Sequence, residues 1–153
     1  MARPGRSPRH RRVREALAAR YEVDESKESL NGILLDSDVV IEILRGTRDF
    51  VAKAEGYARA GVSSYCTAVS WAEVFAGVRP GEEAATQAFF DARGEVVLDA
   101  TTGRRAGTYL ARYGRSHGVA IADALIAAAA STAGLRLWTR NRRHYPMDDV
   151  EFI

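Results

Sequence analysis

Four polar residues of this chain follow or interrupt apolar segments at positions where they could together bind a metal ion. They are Asp36, Glu73, Asp123 and Asn141. Three carboxylates and an amide, with no His or Cys among them, form an oxygen-donor set that suits Mg²⁺ or Mn²⁺ better than zinc. A divalent ion held in this way can activate water and neutralise charge that develops on a phosphate. These residue types therefore indicate metal-dependent hydrolysis of phosphodiester bonds.

Each acid and amide in this region also has a structural explanation when it is considered alone. Asp38 and Asp123 lie where helices should begin, and an Asp there commonly caps the helix or interacts favourably with its dipole. Glu73 ends an S-x-x-E sequence that is typical of a capping box, and Asn141 suits a turn. Asp36 is harder to explain, because an unpaired carboxylate at the end of a buried strand carries a large desolvation cost. A generic α/β domain whose acids are all helix caps is one alternative.

The hydrophobic pattern alternates between short β-rich runs and amphipathic helical segments. We predict strands at 33–36, 62–67, 95–98, 135–139 and 150–153. We predict helices at 38–45, 48–60, 70–76, 81–93, 101–117 and 121–133. Strands separated by helices are typical of βαβ units, and so of an α/β fold with a mainly parallel sheet of about five strands. The carboxyl ends of parallel strands share one edge of the sheet, where the four polar residues would meet.

The length and composition of the chain fit one soluble globular domain. Its 153 residues are 46% hydrophobic and 27% charged, with a net charge of +2. The single cysteine, Cys66, excludes a disulfide framework or a multi-cysteine zinc site. No apolar stretch is long enough for a membrane span, and the N-terminus lacks the pattern of a secretory signal. We therefore expect a cytoplasmic protein.

Four segments of the chain, in order and at matching spacing, resemble the motifs of the PIN domain family. They are ILLDSDVVI at 33–41, SWAEVFAG at 70–77, IADALIAA at 121–128 and TRN at 139–141. The first resembles the opening motif hhhD[ST][ND]hhI, and the others resemble [ST]xxEhxxG, xxDxhIAA and TxN or TxD. The sequence LRG at 44–46 is also similar to the form common in VapC-like ribonuclease toxins. The resemblance covers about residues 32–153, nearly the whole predicted domain.

The resemblance implies a three-layer α/β/α PIN fold and a metal-dependent endoribonuclease that acts as the toxin of a toxin–antitoxin pair. It implies that Asp36, Glu73 and Asp123 are catalytic ligands of Mg²⁺ or Mn²⁺, with Asn141 at the fourth, variable catalytic position. Many relatives carry Asp at that position, so the number of bound metal ions, one or two, stays open. The resemblance further implies an RNA substrate, a homodimer and a small antitoxin whose C-terminal segment lies across the active-site groove.

Basic residues near the predicted site could bind the phosphates of RNA. They are Arg45, Arg140, Arg142 and Arg143. Arginine forms charge-assisted contacts with phosphate, although any one of these could equally be a solvated surface charge. RNA binding by these four residues is therefore a hypothesis about a cluster rather than about each side chain.

Two further alternatives differ in chemistry from a ribonuclease. A haloacid-dehalogenase-like phosphatase would share the D-S-D sequence at 36–38, but it needs a Lys before its final acidic motif. The only lysines are Lys27 and Lys53, which disfavours this family. The second alternative is a PIN-fold module that binds RNA or protein without cutting it. Asn141 keeps this possibility open, whereas the presence of the first and third acids favours catalysis.

Residues 1–30 differ in composition from the rest of the chain. Seven Arg and one Glu lie within the first 20 residues, whereas the remainder contains 15 basic and 19 acidic residues. We expect 1–30 to be a basic extension, disordered or partly helical, and 31–153 to form the PIN domain. The extension could reflect a mis-set start codon, a remnant of an overlapping antitoxin end, or a nucleic-acid-binding arm.

Overall fold

The computed structural model describes residues 31–153, which form four β-strands, six α-helices and a short 3₁₀ helix at Arg142–His144. The strands are β1 (Gly32–Leu35), β2 (Ser63–Thr67), β3 (Gly94–Val96) and β4 (Arg136–Trp138). The helices are α1 (Ser37–Leu44), α2 (Arg48–Arg59), α3 (Ala68–Phe75), α4 (Glu83–Asp91), α5 (Ala100–His117) and α6 (Ile121–Ala133). The predicted extension at 1–30 lies outside the described residues.

Every strand pairing in the sheet is parallel, in the order β3-β2-β1-β4. In the interior strand β1, Leu34 pairs with Tyr65 of β2 on one side and with Leu137 of β4 on the other. The predicted parallel α/β arrangement is therefore confirmed. The carboxyl ends of the four strands lie along one edge, which carries Asp36 directly after β1 and Asn141 shortly after β4.

The described part of the chain contains four strands, whereas we predicted about five. Residues 150–153, predicted as an edge strand, contribute a single parallel bridge between Phe152 and Leu137. The Leu137 N–H donates to the carbonyl of Glu151 at 2.7 Å, and the Ile153 N–H donates to the carbonyl of Leu137 at 3.3 Å. The segment meets β4 over one residue only, which is too short a contact to form a ladder.

The helix that follows β1 begins one residue earlier than predicted. We expected Asp38 to be its N-cap, and this was wrong. Asp36 is the N-cap of α1, in extended conformation, and its carboxylate accepts the backbone N–H of Ser37. The strand therefore passes into the helix without a loop, and the acid that directly follows the apolar run caps α1.

The capping box that we considered as a structural explanation for 70–73 does not form. The helix α3 begins at Ala68, with Thr67 at its N-cap, so Ser70 lies inside the helix. The hydroxyl of Ser70 is fully buried and donates to the carbonyl of Leu35 at 3.5 Å. The S-x-x-E sequence therefore connects α3 to the end of β1 and leaves the carboxylate of Glu73 available for other contacts.

Helices cover both faces of the sheet, and this confirms the three-layer arrangement. Ile33 and Leu35 of β1 belong to a buried cluster with residues of α1, α3 and α4, and α2 packs against the same cluster. Leu34, between them, faces a second cluster formed with α5 and α6. This alternation follows from the two-residue period of a strand. A strand that is apolar on both faces is expected in a parallel sheet covered by helices.

The helix α6 is enclosed by its surroundings. Its four consecutive alanines at 127–130 have no exposed surface, and consecutive positions point in all directions around a helix. Their small side chains let α5 approach closely, and Tyr109 and Ala106 of α5 pack in the same cluster. Because α6 is held on all sides, Asp123 in its first turn has a fixed position.

The ring of Tyr65, on β2, lies over glycines in both neighbouring strands. A Cβ added at Gly94 of β3 would lie 2.5 Å from the ring atom Cε1 of Tyr65. A Cβ at Gly32 of β1 would lie 2.8 Å from the same ring and 2.5 Å from the carbonyl oxygen of Ser63. These distances are shorter than non-bonded carbon contacts allow. The two glycines therefore provide the space that the aromatic ring occupies.

Replacement of Gly94 by alanine tests this packing. Gly94→Ala should lower the free energy of unfolding by about 1–3 kcal/mol, because the added methyl group displaces the ring. In a Tyr65→Ala background the same change should be neutral or slightly stabilising, since alanine restricts the unfolded chain more than glycine. Urea unfolding of the four proteins measures both effects. An equal loss in the two backgrounds would contradict the assigned role of the ring.

None of the helices within residues 31–153 combines the length and the apolar character that a membrane span needs.

Candidate active site

Asp36 is a buried acid at the carboxyl end of β1, with 8% of its surface exposed. Its Oδ1 accepts the backbone N–H of Ser37 at 2.7 Å, and its Oδ2 accepts the hydroxyl of Tyr145 at 2.7 Å. Its own N–H donates to the carbonyl of Trp138 at 3.0 Å, which continues the pairing of β1 with β4. The carboxylate is thus oriented through both oxygens, at a helix N-terminus where the dipole favours negative charge.

Glu73 lies on α3, and its carboxylate faces the start of α1. Its Oε2 accepts a hydrogen bond from the hydroxyl of Ser37. Ser37 therefore contacts both acids: its backbone N–H donates to Asp36 and its hydroxyl donates to Glu73. Glu73 is largely exposed to solvent, so the site is open on this side.

Asp123 completes the group of predicted acidic ligands. It lies in the first turn of α6, as predicted, with His144 Nδ1 3.8 Å from its Oδ2. Partial burial raises the pKa of the Asp123 carboxyl above its ordinary value of 3.8. The charge of His144 lowers this pKa, and the charges of Asp36 and Glu73 raise it. The carboxylates of Asp36 and Glu73 are therefore near enough to Asp123 to disfavour its ionisation.

A further acid, Asp38, lies beside this group. Burial first, and then the negative charge of Asp36, raise the pKa of Asp38 to about 6. Its carboxylate accepts the backbone N–H of Arg140 at 3.2 Å. Asp38 therefore adds negative charge to the site and connects α1 to the loop that follows β4.

Asn141 begins the 3₁₀ turn after β4. Its N–H donates to the hydroxyl of Thr139 at 3.0 Å, and its carbonyl accepts the N–H of His144 at 3.0 Å. These bonds fix its backbone, in agreement with the turn that an Asn in this position favours. The same turn presents His144 and Tyr145 to the acids.

The sequence analysis missed two residues that hold the acids, Ser37 and Tyr145. Tyr145 is 3% exposed, and burial together with the charge of Asp36 raises the pKa of its hydroxyl, which therefore stays protonated and donates. From the sequence alone, the tyrosine at position 145 is as typical of a residue packed in the core as of a partner of an acid. Ser37 lies within the D-S-D sequence and could have been identified as a partner of an acid, although not of Glu73 in particular.

The arginines predicted to bind RNA differ in their surroundings. Arg140 Nη1 lies 2.6 Å from Glu42 Oε1, and Arg45 Nη1 lies 3.9 Å from the same oxygen. Arg142 donates to the backbone carbonyl of the last residue at 2.7 Å. Arg143 is exposed. The guanidinium of Arg140 is therefore held by a carboxylate of this protein, whereas the side chain of Arg143 could contact a phosphate.

Two acids near the end of the chain belong to a different contact. Asp149 accepts hydrogen bonds from the hydroxyl of Tyr109 at 2.8 Å and from Arg105 at 3.1 Å. Asp148 Oδ1 lies 3.4 Å from the hydroxyl of Tyr113. All three of these partners lie on α5. Asp148 and Asp149 therefore anchor the C-terminal segment and are not part of the acidic site.

The acidic site has the donor chemistry of a divalent-cation site without a finished coordination shell. Within residues 31–153, no three acidic, His or Cys side chains are already gathered as a metal-binding group. Asp36 and Glu73 are each oriented by a hydrogen bond to a neighbouring donor. The set still fits Mg²⁺ or Mn²⁺, because its ligands are carboxylate oxygens and their mutual repulsion would be relieved by a cation.

A cleft of about 230 Å³ adjoins Glu73, between the end of α1 and the helices α3 and α4. Its lining includes Ile41, Leu44, Val74, Val78, Arg45 and Arg79. Glu73 and Glu82 line the cleft as well, so its charges are mixed, and its apolar walls suit a partner that offers an apolar group.

The model of the PIN domain family matches residues 33–150 of the chain, a range that contains all four predicted site positions. The chain belongs to the PIN domain family. The resemblance inferred from the four sequence motifs is thus confirmed. The order of those motifs, and not any one of them, distinguished a PIN domain from a generic α/β domain with helix-capping acids.

Known proteins similar to this PIN domain chain include two from Mycobacterium tuberculosis. The chain is 36% identical to Ribonuclease VapC10 over 119 residues. This alignment covers 75% of this chain and 86% of that protein. It is 33% identical to Ribonuclease VapC19 over 115 residues, in an alignment that covers 74% of this chain and 92% of that protein. A solved toxin–antitoxin complex from Klebsiella pneumoniae matches with a TM-score of 0.66 and 20% identity, over 78% of this chain and 95% of that chain. This last likeness concerns the fold alone.

Neutralisation of one acid tests the repulsion within the site. Asp123→Asn should raise the stability of the metal-free protein at neutral pH, by up to about 1 kcal/mol for a partly exposed charge. The sign follows from the raised pKa: ionisation of Asp123 is less favourable in the folded protein, so stability is lost as pH rises above 3.8, and Asn avoids this loss.

Thermal unfolding in EDTA at several pH values measures this effect. Glu95→Gln, at an exposed position of β3, is the matched control. A variant at position 123 that is no more stable than the unmodified protein at pH 7 would contradict the proposed repulsion.

Proposed function

We propose that this chain is a metal-dependent endoribonuclease that acts as the toxin of a toxin–antitoxin pair. The observation that carries the proposal is the convergence of Asp36, Glu73 and Asp123 at the carboxyl edge of a PIN domain sheet. The sequence identity to two ribonucleases over most of their length supports the same chemistry. The function inferred from the sequence motifs is therefore retained, with RNA as the substrate.

The proposed mechanism assigns metal binding to Asp36, Glu73 and Asp123. A bound Mg²⁺ or Mn²⁺ would supply an activated water and neutralise charge on the scissile phosphate. Asp36 is the most rigid of the three, because it is buried and both of its oxygens accept hydrogen bonds. Glu73 is exposed and reaches the site through Ser37, so it can adjust to a ligand. Asn141 would contribute an uncharged side chain at the fourth position of the site.

His144 and its neighbours have a separate task in this proposal. His144 lies beside Asp123 at the end of a turn that also contains the exposed Arg143. A cationic rim next to the acids would attract the phosphates that flank the scissile bond. The acids and the rim would thus hold a metal ion and a polyanion at adjacent places.

Loss of Asp36 or of Asp123 tests the catalytic assignment. Asp36→Asn and Asp123→Asn should each reduce RNA cleavage by at least about 100-fold, because metal-ion catalysis contributes several kcal/mol. EDTA should abolish cleavage by the unmodified protein, and Mn²⁺ or Mg²⁺ should restore it. The assay uses purified, antitoxin-free protein on several classes of structured RNA.

Asp91→Asn should cut RNA at the unmodified rate in the same assay. Cleavage that persists in EDTA would contradict the metal mechanism. Absence of cleavage by well-folded protein across all RNA classes would favour the alternative function, a PIN-fold module that binds RNA or protein without cutting.

RNA binding by the arginine cluster can be separated from catalysis in an inactive protein. In the Asp123→Asn background, Arg143→Ala should weaken RNA binding and lower the slope of log affinity against log salt by about 1, as expected for one lost phosphate contact. Fluorescence anisotropy at several salt concentrations gives both values. Arg59→Ala is the control, since Arg59 ends α2 at the opposite edge of the sheet and pairs with Glu55 at 3.7 Å. An unchanged slope in Arg143→Ala would remove this residue from the RNA surface.

The proposed partner is a small antitoxin whose C-terminal segment crosses the site. The acids offer negative charge to a cationic side chain of such a segment, and the adjacent cleft offers apolar walls. A homodimer is proposed as well, supported by two large apolar residues that are strongly exposed, Val97 at 68% and Ile121 at 67%. Analytical ultracentrifugation with and without the antitoxin would measure both associations. A cytoplasmic location stays a prediction.

A further inference from the structure

The carboxylate of Asp36 receives a hydrogen bond from a residue that is far away in the sequence. The hydroxyl of Tyr145 donates to Oδ2 at 2.7 Å, while the local N–H of Ser37 occupies Oδ1 at 2.7 Å. Each oxygen therefore accepts one hydrogen bond and retains a further lone pair. A carboxylate held in this way has its plane fixed before any cation arrives.

The position of Tyr145 is itself determined by the surrounding structure. It is 3% exposed, and its ring packs against Phe152 at a centroid distance of 6.4 Å. Met147 and Val150, which follow Tyr145 in the same segment, are buried in the core on the α5–α6 side of the sheet. The bridge between Phe152 and Leu137 attaches this segment to β4. The phenol therefore has little freedom to leave the carboxylate.

Packing alone does not require a hydroxyl at this position. A phenylalanine would fill almost the same volume and would leave no polar atom to satisfy in the core. The presence of a tyrosine, with its hydroxyl on one oxygen of Asp36, indicates that the contact with the acid is the purpose of the polar atom. A hydrogen bond that orients a ligating carboxylate commonly changes metal affinity when it is removed.

We propose that Tyr145 is a positioning residue that fixes the Asp36 carboxylate for binding of the divalent cation. This inference rests on the proposed function, since it takes Asp36 to be a ligand of the metal ion. Tyr145 does not touch the substrate in this scheme. It acts by limiting the rotation of Asp36, so that the carboxylate loses less freedom when the ion binds.

The experiment compares two buried tyrosines that each donate to an aspartate. Tyr145→Phe removes the hydroxyl beside Asp36, and Tyr109→Phe removes the hydroxyl beside Asp149, which keeps its ion pair with Arg105 at 3.1 Å. Calorimetric titration of the full, antitoxin-free chain with Mn²⁺ measures the affinity. Tyr145→Phe should bind Mn²⁺ about 10–100-fold more weakly than the unmodified protein, and Tyr109→Phe should match it within about twofold.

The outcomes separate the two proposals. If Asp36→Asn abolishes Mn²⁺ binding but Tyr145→Phe binds within about twofold of the unmodified protein, the positioning role is overturned and the metal site stands. If the unmodified protein does not bind Mn²⁺, or if Asp36→Asn binds it unchanged, the metal site itself fails. An equal loss of affinity in both tyrosine variants would show a general effect of removing a buried hydroxyl, and would also overturn the positioning role.

A second measurement uses the unmodified protein and does not depend on the folding of a variant. With ¹³Cζ-labelled tyrosine, titration with Mg²⁺ should shift the resonance of Tyr145, because the charge on its acceptor carboxylate is partly neutralised. The resonance of Tyr109, hydrogen-bonded to Asp149 on the α5 side, should stay in place. Saturation with Mg²⁺ without any shift at Tyr145 would contradict the proposal.

Discussion

The burial of one carboxylate, that of Asp36, is the constraint on which the rest of the site depends. Its removal from water at the end of an interior strand is unfavourable unless hydrogen-bond donors or positive charge surround it. The N-terminus of α1 supplies one donor and part of the charge, and Tyr145 supplies another donor. The strand, the helix that it enters and the turn after β4 must all meet at this point. Asp36 therefore fixes the relative positions of β1, α1 and the turn after β4, and it is also a candidate metal ligand.

The other acids increase the negative charge at this edge instead of balancing it. The charges of Asp36 and Glu73 raise the pKa of Asp123, and burial together with the charge of Asp36 raises the pKa of Asp38. Such a cluster lowers the stability of the domain and is typical of a site that is completed by a cation. The two enclosed hydrophobic layers on either side of β1 supply the stability that tolerates it.

The sequence predicted the architecture because the apolar periodicity and the four motifs were strong local signals. Asp123 and Asn141 lie where the pattern placed them, after or within elements that were correctly identified. The helix starts were less predictable, since Asp36 and Asp38 are both good caps and only the backbone conformation decides between them. The contact of Tyr145 with Asp36 was beyond prediction, because it joins distant residues and an aromatic residue beside a proline carries no signal of its partner.

The contact between Asp36 and Tyr145 also has a consequence for biosynthesis. The two residues are separated by 109 positions, so the carboxylate emerges from the ribosome well before its phenolic donor does. While the nascent chain is still being elongated, Asp36 lacks this donor and β1 lacks its neighbour β4. A domain folds as a unit once its elements are available. The arrangement therefore delays maturation of the acidic site until β4 and the turn after it have been synthesised.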